Sequence, residues 1–181
     1  MAGDVLQTGC YTKEDAYQSL QIINSWIGNM DTKISFALAF VSVLIGFIFS
    51  NGAPQIVNEI SQIEFSQMSV IQILSVLLII VLYLLGLVTI AIFVFALSAR
   101  VQNLSDIESV FFFGDIAMNT YQNLKERMDQ VTDERLLTDL QSQIWINSKI
   151  CSKKAKWFNI GLYCFFIAMV LYFICAGFQI L

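Results

Sequence analysis

Opposite charges stand at the edge of a long charge-free run, and they are the residues of this chain best placed for chemistry. Asp31 and Lys33 come immediately before residues 34–50, which carry no Asp, Glu, Lys or Arg. A carboxylate at the edge of a low-dielectric region needs a cation, whereas a lysine can extend its ammonium group toward water. We therefore expect an ion pair between helices at this boundary, with a pair that breaks on activation as the alternative. The candidate partners, at a similar depth before the last charge-free run, are Lys149, Lys153 and Lys156.

Groups that usually catalyse reactions or hold metals are scarce in this sequence. The chain has no histidine, and its cysteines lack metal-ligand spacing. A glycine-rich phosphate loop and a nucleophile beside a base are also missing. We therefore expect no enzymatic activity, no metal and no cofactor. The cysteines, which we interpret as small apolar residues in a reducing compartment, are Cys10, Cys151, Cys164 and Cys175.

Small residues line one face of the first charge-free run. They recur at intervals of three or four, so they share one side of a helix. In lipid, small residues let helix backbones approach closely, because packing rather than the hydrophobic effect drives association there. This face either packs against the chain's own other helices or is a self-association or pore-lining face in a homo-oligomer. Its members are Ser35, Ala39, Ser42, Gly46 and Ser50.

A second candidate interface joins three consecutive phenylalanines to a glycine, in the segment FFFGDIA at residues 111–117. Large aromatic side chains are costly to leave in water. We expect this cytoplasmic segment either to pack into the core or to form an interface, and a polar group on the last helix could bind a small ligand. The residues concerned are Phe111, Phe112, Phe113, Gly114, Asp115, Gln143 and Asn147.

The elements that must position these residues are membrane-spanning helices. The chain is 57% hydrophobic and 13% charged, against about 45–50% and 25% in soluble proteins. Residues 34–50, 73–99 and 158–181 carry no charge, and about 20 helical residues cross a hydrocarbon core. We predict an all-α integral membrane protein with three transmembrane helices, whose helical cytoplasmic extensions form a bundle.

Apolar residues at the helical period continue from two of these runs into the polar segments beside them. The pattern predicts single helices over residues 14–50 and 133–181, with Asp115 as the N-cap of a shorter helix before the second of them. The predicted boundaries are 1–32 for an N-terminal cytoplasmic amphipathic helix, 33–50, 70–99 and 157–181 for the transmembrane helices, 51–69 for an external loop, and 100–156 for a cytoplasmic helical region.

Basic residues indicate on which side of the membrane each segment lies. Lys13 and Lys33 precede the first span, all other Lys and Arg residues lie between the second and third spans, and residues 51–68 have none. Basic segments stay in the cytoplasm during membrane insertion. We therefore expect a multi-pass protein with its N-terminus in the cytoplasm and its C-terminus outside.

Several of these residues, in their order relative to the three spans, also carry a family resemblance. Residues 20–181 resemble the membrane domain of Pycsar effector proteins. The resemblance implies a bacterial antiphage role: an infection signal triggers the effector, the inner membrane is compromised, and the infected cell stops growing before phage mature. The motifs that carry it are Trp26, Asp31-Thr32-Lys33, FFFGDIA at 111–117, Tyr121, Gln143-Ile144, Asn147-Ser148-Lys149-Ile150, and Lys153 or Lys156.

One departure from the family pattern concerns the signal. Pycsar effectors that answer cyclic CMP or cyclic UMP usually carry a cyclic-nucleotide-binding domain fused to this membrane domain, and the sequence has neither the strands nor the phosphate cradle of such a domain. Either a separate protein senses the signal, or the cytoplasmic helices respond to a small nucleotide or another signal directly. The nucleotide ligand is therefore not carried over.

The leading hypothesis is an antiphage effector that oligomerises in the bacterial inner membrane and disrupts its integrity or potential, which would make it a pore-forming agent of abortive infection. The alternatives are a membrane scaffold that docks a soluble partner protein and a small channel or transporter. The expected partners are the lipid bilayer and other copies of the chain. Nucleic acid is excluded, because no block of Lys and Arg could follow a phosphate backbone.

Overall fold

The computed structural model describes residues 11–49, 68–98 and 108–178, and within these ranges the chain is helical, with no strand. The predicted all-α class is therefore confirmed. The predicted external loop 51–69 lies outside the described residues except for its last two positions, and so does Ser50. In chain order the helices are α1 (Lys13–Phe49), α2 (Val70–Leu97), α3 (Phe113–Met118), α4 (Tyr121–Gln130) and α5 (Asp133–Gly177).

The two longest helices confirm the predicted continuity of the chain from polar into apolar sequence. α1 begins at a reciprocal cap: the Asp15 amide donates to Thr12 Oγ1 at 3.1 Å, and the Thr12 amide donates to Asp15 Oδ2 at 3.0 Å. The bond from the Thr12 amide lowers the pKa of the Asp15 carboxyl from its ordinary value of 3.8. α5 runs uninterrupted through 45 residues. Neither helix meets a proline or a change of period, so each continues from the charged segment into the apolar one.

The prediction of one helix that starts at Asp115 is wrong in detail. The segment forms two helices, because Asn119 and Thr120 have extended backbone and Thr120 Oγ1 accepts from the Asn123 amide at 3.3 Å, which caps α4. Asp115 lies inside α3 instead. Its carboxylate accepts from the Ser109 amide at 2.8 Å, so it fixes the residues before the helix rather than starting a helix.

The chain divides into two compact units. We name the described residues 30–49, 68–98 and 153–178 the membrane unit, and the described residues 11–29 and 108–152 the charged unit. α1 and α5 contribute to both. α1, α2 and α5 are each long and apolar enough to cross a membrane, in agreement with the predicted three spans.

The membrane unit has two groups of buried side chains. In one, Ile34 and Val41 of α1 pack with Phe93 of α2, and in the other Leu82 of α2 packs with Ala168 of α5. Large apolar side chains such as Phe36, Phe40 and Tyr163 face outward, as lipid-exposed residues do.

The charged unit has a smaller core. Ala16 and Leu20 of α1 pack against Leu140 of α5, and Phe111 packs against this cluster. The apolar residues that recur every three to four positions in this part of α1 therefore form a core face in this unit.

Candidate functional site

The predicted ion pair at the membrane boundary is present with a different partner. Lys154 Nζ donates to Asp31 Oδ1 at 2.6 Å, whereas the predicted partners Lys153 and Lys156, in the same unit, make no ion pair with Asp31. The third predicted partner, Lys149, belongs to the charged unit. Lys154 is only 8% exposed, because its side chain points into the membrane unit. The exposed Lys153 instead lies over the ring of Phe95, with 5.7 Å from its Nζ to the centroid.

Lys154 also binds the end of α2. Its Nζ donates to the carbonyl oxygens of Ala96 at 3.1 Å and Leu97 at 3.5 Å. The last carbonyls of a helix have no partner within it and carry a partial negative charge, so a cation there is favourable. One ammonium group thus joins α1, α2 and α5, and we name Asp31, Lys154 and these two carbonyls the three-helix clasp.

A signal in the sequence could have assigned Lys154 to this site. Lys154, Gly161, Ala168 and Cys175 recur every seven residues on α5, and all are buried. A seven-residue repeat marks the seam along which helices pack. The neighbouring lysines lie off this seam, and both Lys153 and Lys156 are exposed.

The seam is tight at one point. A Cβ atom on Gly161 would stand 2.6 Å from Phe93 Cε1, so the phenylalanine ring occupies the space that a side chain at Gly161 would fill. Phe93 is fully buried, and its ring centroid lies 6.2 Å from that of Phe158. Glycine is therefore the residue that lets α2 and α5 approach here.

The small-residue face of α1 points outward. Ser35, Ala39, Ser42 and Gly46 are all exposed, and a Cβ on Gly46 would meet nothing within 4 Å. The hydroxyls of Ser35 and Ser42 donate to carbonyls of their own helix, each at 2.9 Å. Within the described ranges, the interpretation that this face packs against the chain's other helices is therefore wrong for these four residues. The buried side of α1 is the one that carries Ile34, Val41 and Ile48.

The three phenylalanines at positions 111–113 have different surroundings in the charged unit. Phe111 packs against the core, in agreement with the core interpretation. Phe112 lies against Phe113 with ring centroids 4.9 Å apart, and it covers Gly114, where a Cβ would stand 2.5 Å from Phe112 Cε1. Phe113 is exposed. The segment is therefore part core and part surface.

The polar group on α5 includes one residue that the sequence did not single out, Asp139. Its Oδ2 accepts from the Val110 amide at 2.8 Å, while Asp139 Oδ1 and Gln143 Nε2 have no hydrogen-bond partner among the described residues. Both side chains are buried, at 4% and 3% exposure. Asn147, by contrast, donates from Nδ2 to Asn24 Oδ1 at 2.9 Å.

Asp139 also lines a cavity of about 60 Å³ in the charged unit. One water molecule needs about 10–15 Å³ of such space, so this cavity can hold a few water molecules or a small polar guest. Arg127 at its edge is already paired with Glu108, at 2.7 Å from its Nη1 to Oε2. The residues around the cavity are Glu108, Val110, Arg127, Gln130, Val131, Arg135 and Asp139.

Comparison with known proteins decides the family. A family model described as the Pycsar effector protein domain matches residues 15–181, which is nearly the whole chain. The chain belongs to the Pycsar effector protein family. It is 29% identical over 184 residues to the Pycsar effector protein GmPycTM of Gulbenkiania mobilis, and the match covers 91% of each chain. No solved structure matches the chain.

Membership of this family confirms the resemblance and, with the three apolar helices, makes the protein a phage-defence membrane effector.

No group of three metal-ligating side chains occurs within the described ranges. The expectations that the protein is not an enzyme and holds no cofactor stay predictions.

Proposed function

We propose that this effector oligomerises in the bacterial inner membrane and, once activated, disrupts the integrity or potential of that membrane, so that the infected cell stops growing. The N-terminus would lie in the cytoplasm and the C-terminus outside, as the distribution of basic residues favours. The observation that supports assembly is the outward position of the small-residue face, defined above by Ser35, Ala39, Ser42 and Gly46.

The face suits a second helix for physical reasons. In lipid, apolar surface alone does not drive helices together, so close backbone approach must supply the attraction. Gly46 and Ala39 offer that approach, and nothing of the described chain occupies the space beside Gly46. The bulky Phe40 and Phe47 lie on a different side of the same helix and are exposed to lipid. The small-residue face is therefore the side of α1 that a helix of another copy can approach most closely.

The effector must also stay inactive without its signal, because a constitutive pore would kill its host. A two-state protein can be held in its closed state by contacts that the open state lacks. The three-helix clasp fits this role, since moving any of α1, α2 or α5 would separate Lys154 from a partner. A separate sensor protein or a small nucleotide would supply the signal.

The test uses the full chain in bacteria challenged with phage, with a potential-sensitive dye as the readout. We expect the native chain to depolarise the membrane during infection, and Gly46→Leu to reduce both depolarisation and cross-linked oligomers. A loss of about tenfold in association corresponds to ~1.4 kcal/mol. Gly177→Leu is the matched control, because a Cβ there also meets nothing within 4 Å.

Two outcomes would count against the proposal. A membrane potential that persists through infection in cells that arrest growth would exclude disruption of the membrane as the mechanism. Equal oligomer yields from Gly46→Leu and Gly177→Leu would exclude the small-residue face as the contact.

A second candidate function is docking of a soluble partner protein. Phe113, Met118 and Tyr121, on α3 and at the start of α4, are all exposed, with Met118 at 88%. Exposed apolar residues close together in sequence favour a protein contact. A soluble protein that copurifies in stoichiometric amount, with no conductance in planar bilayers, would favour docking over membrane disruption.

A further inference from the structure

The membrane unit carries more positive charge at one end than its own carboxylates balance. Among its described residues, Asp31 is the single carboxylate, and Lys154 is already bound to it. Lys33, Lys153 and Lys156 are exposed and make no ion pair within the described ranges. These three exposed lysines, which we name the lysine rim, therefore have an uncompensated charge.

The three lysines lie at nearly the same depth in the membrane unit. The Asp31–Lys154 contact fixes the depth of α1 relative to α5. Lys33 is two residues from Asp31, while Lys153 and Lys156 are one and two residues from Lys154. A helix rises 1.5 Å per residue, so each of the three Cα atoms lies within about 3 Å, along its own helix, of one residue of this pair, and the lysines form one layer at the level of the pair.

That layer borders the part of the unit that faces lipid. On α1 the exposed Phe36 follows Lys33 after one turn, and on α5 the exposed Tyr163 follows Lys156 after two turns. Trp157 and Phe95 lie beside the rim with ring centroids 5.1 Å apart, and Lys153 Nζ stands over the Phe95 ring. Tryptophan and lysine at the end of an apolar span are typical of the headgroup level of a bilayer.

We propose that the lysine rim binds the phosphate groups of anionic phospholipids, so that the effector prefers a membrane that contains them. Juxtamembrane lysines attract anionic headgroups over a Debye length, and each ammonium group offers three donors to phosphate oxygens. The position of the rim at the end of the apolar helices favours a headgroup over free phosphate. This inference concerns the membrane boundary alone and holds whether or not the chain oligomerises.

The test measures bound lipid on the full chain in a neutral detergent. Phosphatidylglycerol and phosphatidylcholine with the same acyl chains are added separately, and native mass spectrometry counts the molecules retained. We expect the native chain to retain phosphatidylglycerol several-fold better. The triple substitution Lys33→Gln, Lys153→Gln and Lys156→Gln should abolish this preference, and each single substitution should reduce it.

Two control variants isolate the rim. Lys125→Gln removes one positive charge, as each single rim substitution does, but from the exposed face of α4 in the charged unit, and it should leave the preference unchanged. The triple arginine variant keeps three phosphate-binding cations and should retain the preference. Inorganic phosphate at the lipid concentration should not displace phosphatidylglycerol.

Three results would overturn the proposal. The native chain could retain both lipids equally, a measurement that needs no substitution and so cannot be confused with misfolding. The triple glutamine variant could keep the full preference. Inorganic phosphate could displace the lipid completely, which would assign the lysines to a free anion instead.

Discussion

The membrane unit and the charged unit treat buried polar groups in opposite ways. In the membrane unit, the buried ammonium group of Lys154 has a carboxylate and two helix-terminal carbonyls as partners. In the charged unit, Asp139 Oδ1 and Gln143 Nε2 are buried with no partner among the described residues. A buried polar group without a partner costs about 1–3 kcal/mol, so contacts among the described residues stabilise the first arrangement and leave the second short of partners.

The exposed surfaces of the two units differ as well. Phe40 and Phe173 of the membrane unit are exposed, and lipid is a favourable environment for such apolar side chains. Exposed Met118 and Tyr121 of the charged unit do not belong to an apolar span, so water or another protein surrounds them. Lipid can therefore cover the apolar surface of the membrane unit, whereas among the described residues the charged unit has unpaired polar atoms inside and exposed apolar side chains outside. Such features are where a signal can act, because a ligand or partner that satisfies them gains free energy.

The largest effect that would test this comparison is expected at Gly161, in the packed seam of the membrane unit. Gly161→Leu would place a Cβ 2.6 Å from the buried ring of Phe93, which must then shift. Overpacking typically costs about 1–3 kcal/mol. We expect a lower unfolding temperature in detergent, measured as the temperature at which the helix signal is lost. Gly177→Leu, in open surroundings, should change the temperature little, and equal temperatures for the two variants would show that the seam is looser than the structure indicates.

The three-helix clasp should give the next largest effect. Lys154→Met leaves the Asp31 carboxylate and two α2 carbonyls without their cation, and removing one partner of a fully buried ion pair costs about 3–5 kcal/mol. Asp31 is partly exposed and can be hydrated, so we expect a smaller loss, near 2 kcal/mol. A double-mutant cycle with Asp31→Asn measures the coupling. Lys156→Met is the control, and a coupling energy of zero would mean that the pair does not hold the helices together.

Helices were predicted well from the sequence because their signals are local. Charge-free runs and apolar periodicity are enough to assign α1, α2 and α5 to within a few residues. The two-helix break at Asn119 and Thr120 was missed because Asp115 and Thr120 are both good N-caps, and only the structure shows which of them caps a helix. Asp115 is used by the Ser109 amide instead.

Which side of a helix faces inward was much harder to predict. The sequence shows that Ser35, Ala39, Ser42 and Gly46 share one face, but not that Ile34 and Val41 are the residues that pack. In lipid both faces are apolar or small, so hydrophobicity does not distinguish them. Lys154 was missed because three of four consecutive residues are lysines, and only the seven-residue repeat that Lys154 shares with Gly161, Ala168 and Cys175 distinguishes it from the other two.

The smallest expected effect tests the buried polar group of the charged unit. Gln143→Leu replaces an amide whose Nε2 has no partner with an apolar side chain of similar size, so we expect stability in detergent to stay the same or rise by about 1 kcal/mol. Asn147→Leu is the matched change one turn later on α5. It removes the donor to Asn24 Oδ1 and should lower stability by about 1 kcal/mol. If Gln143→Leu is the more destabilising of the two, a water molecule or a ligand satisfies Gln143 in the native protein, and the buried polar groups of the two units do not differ in this respect.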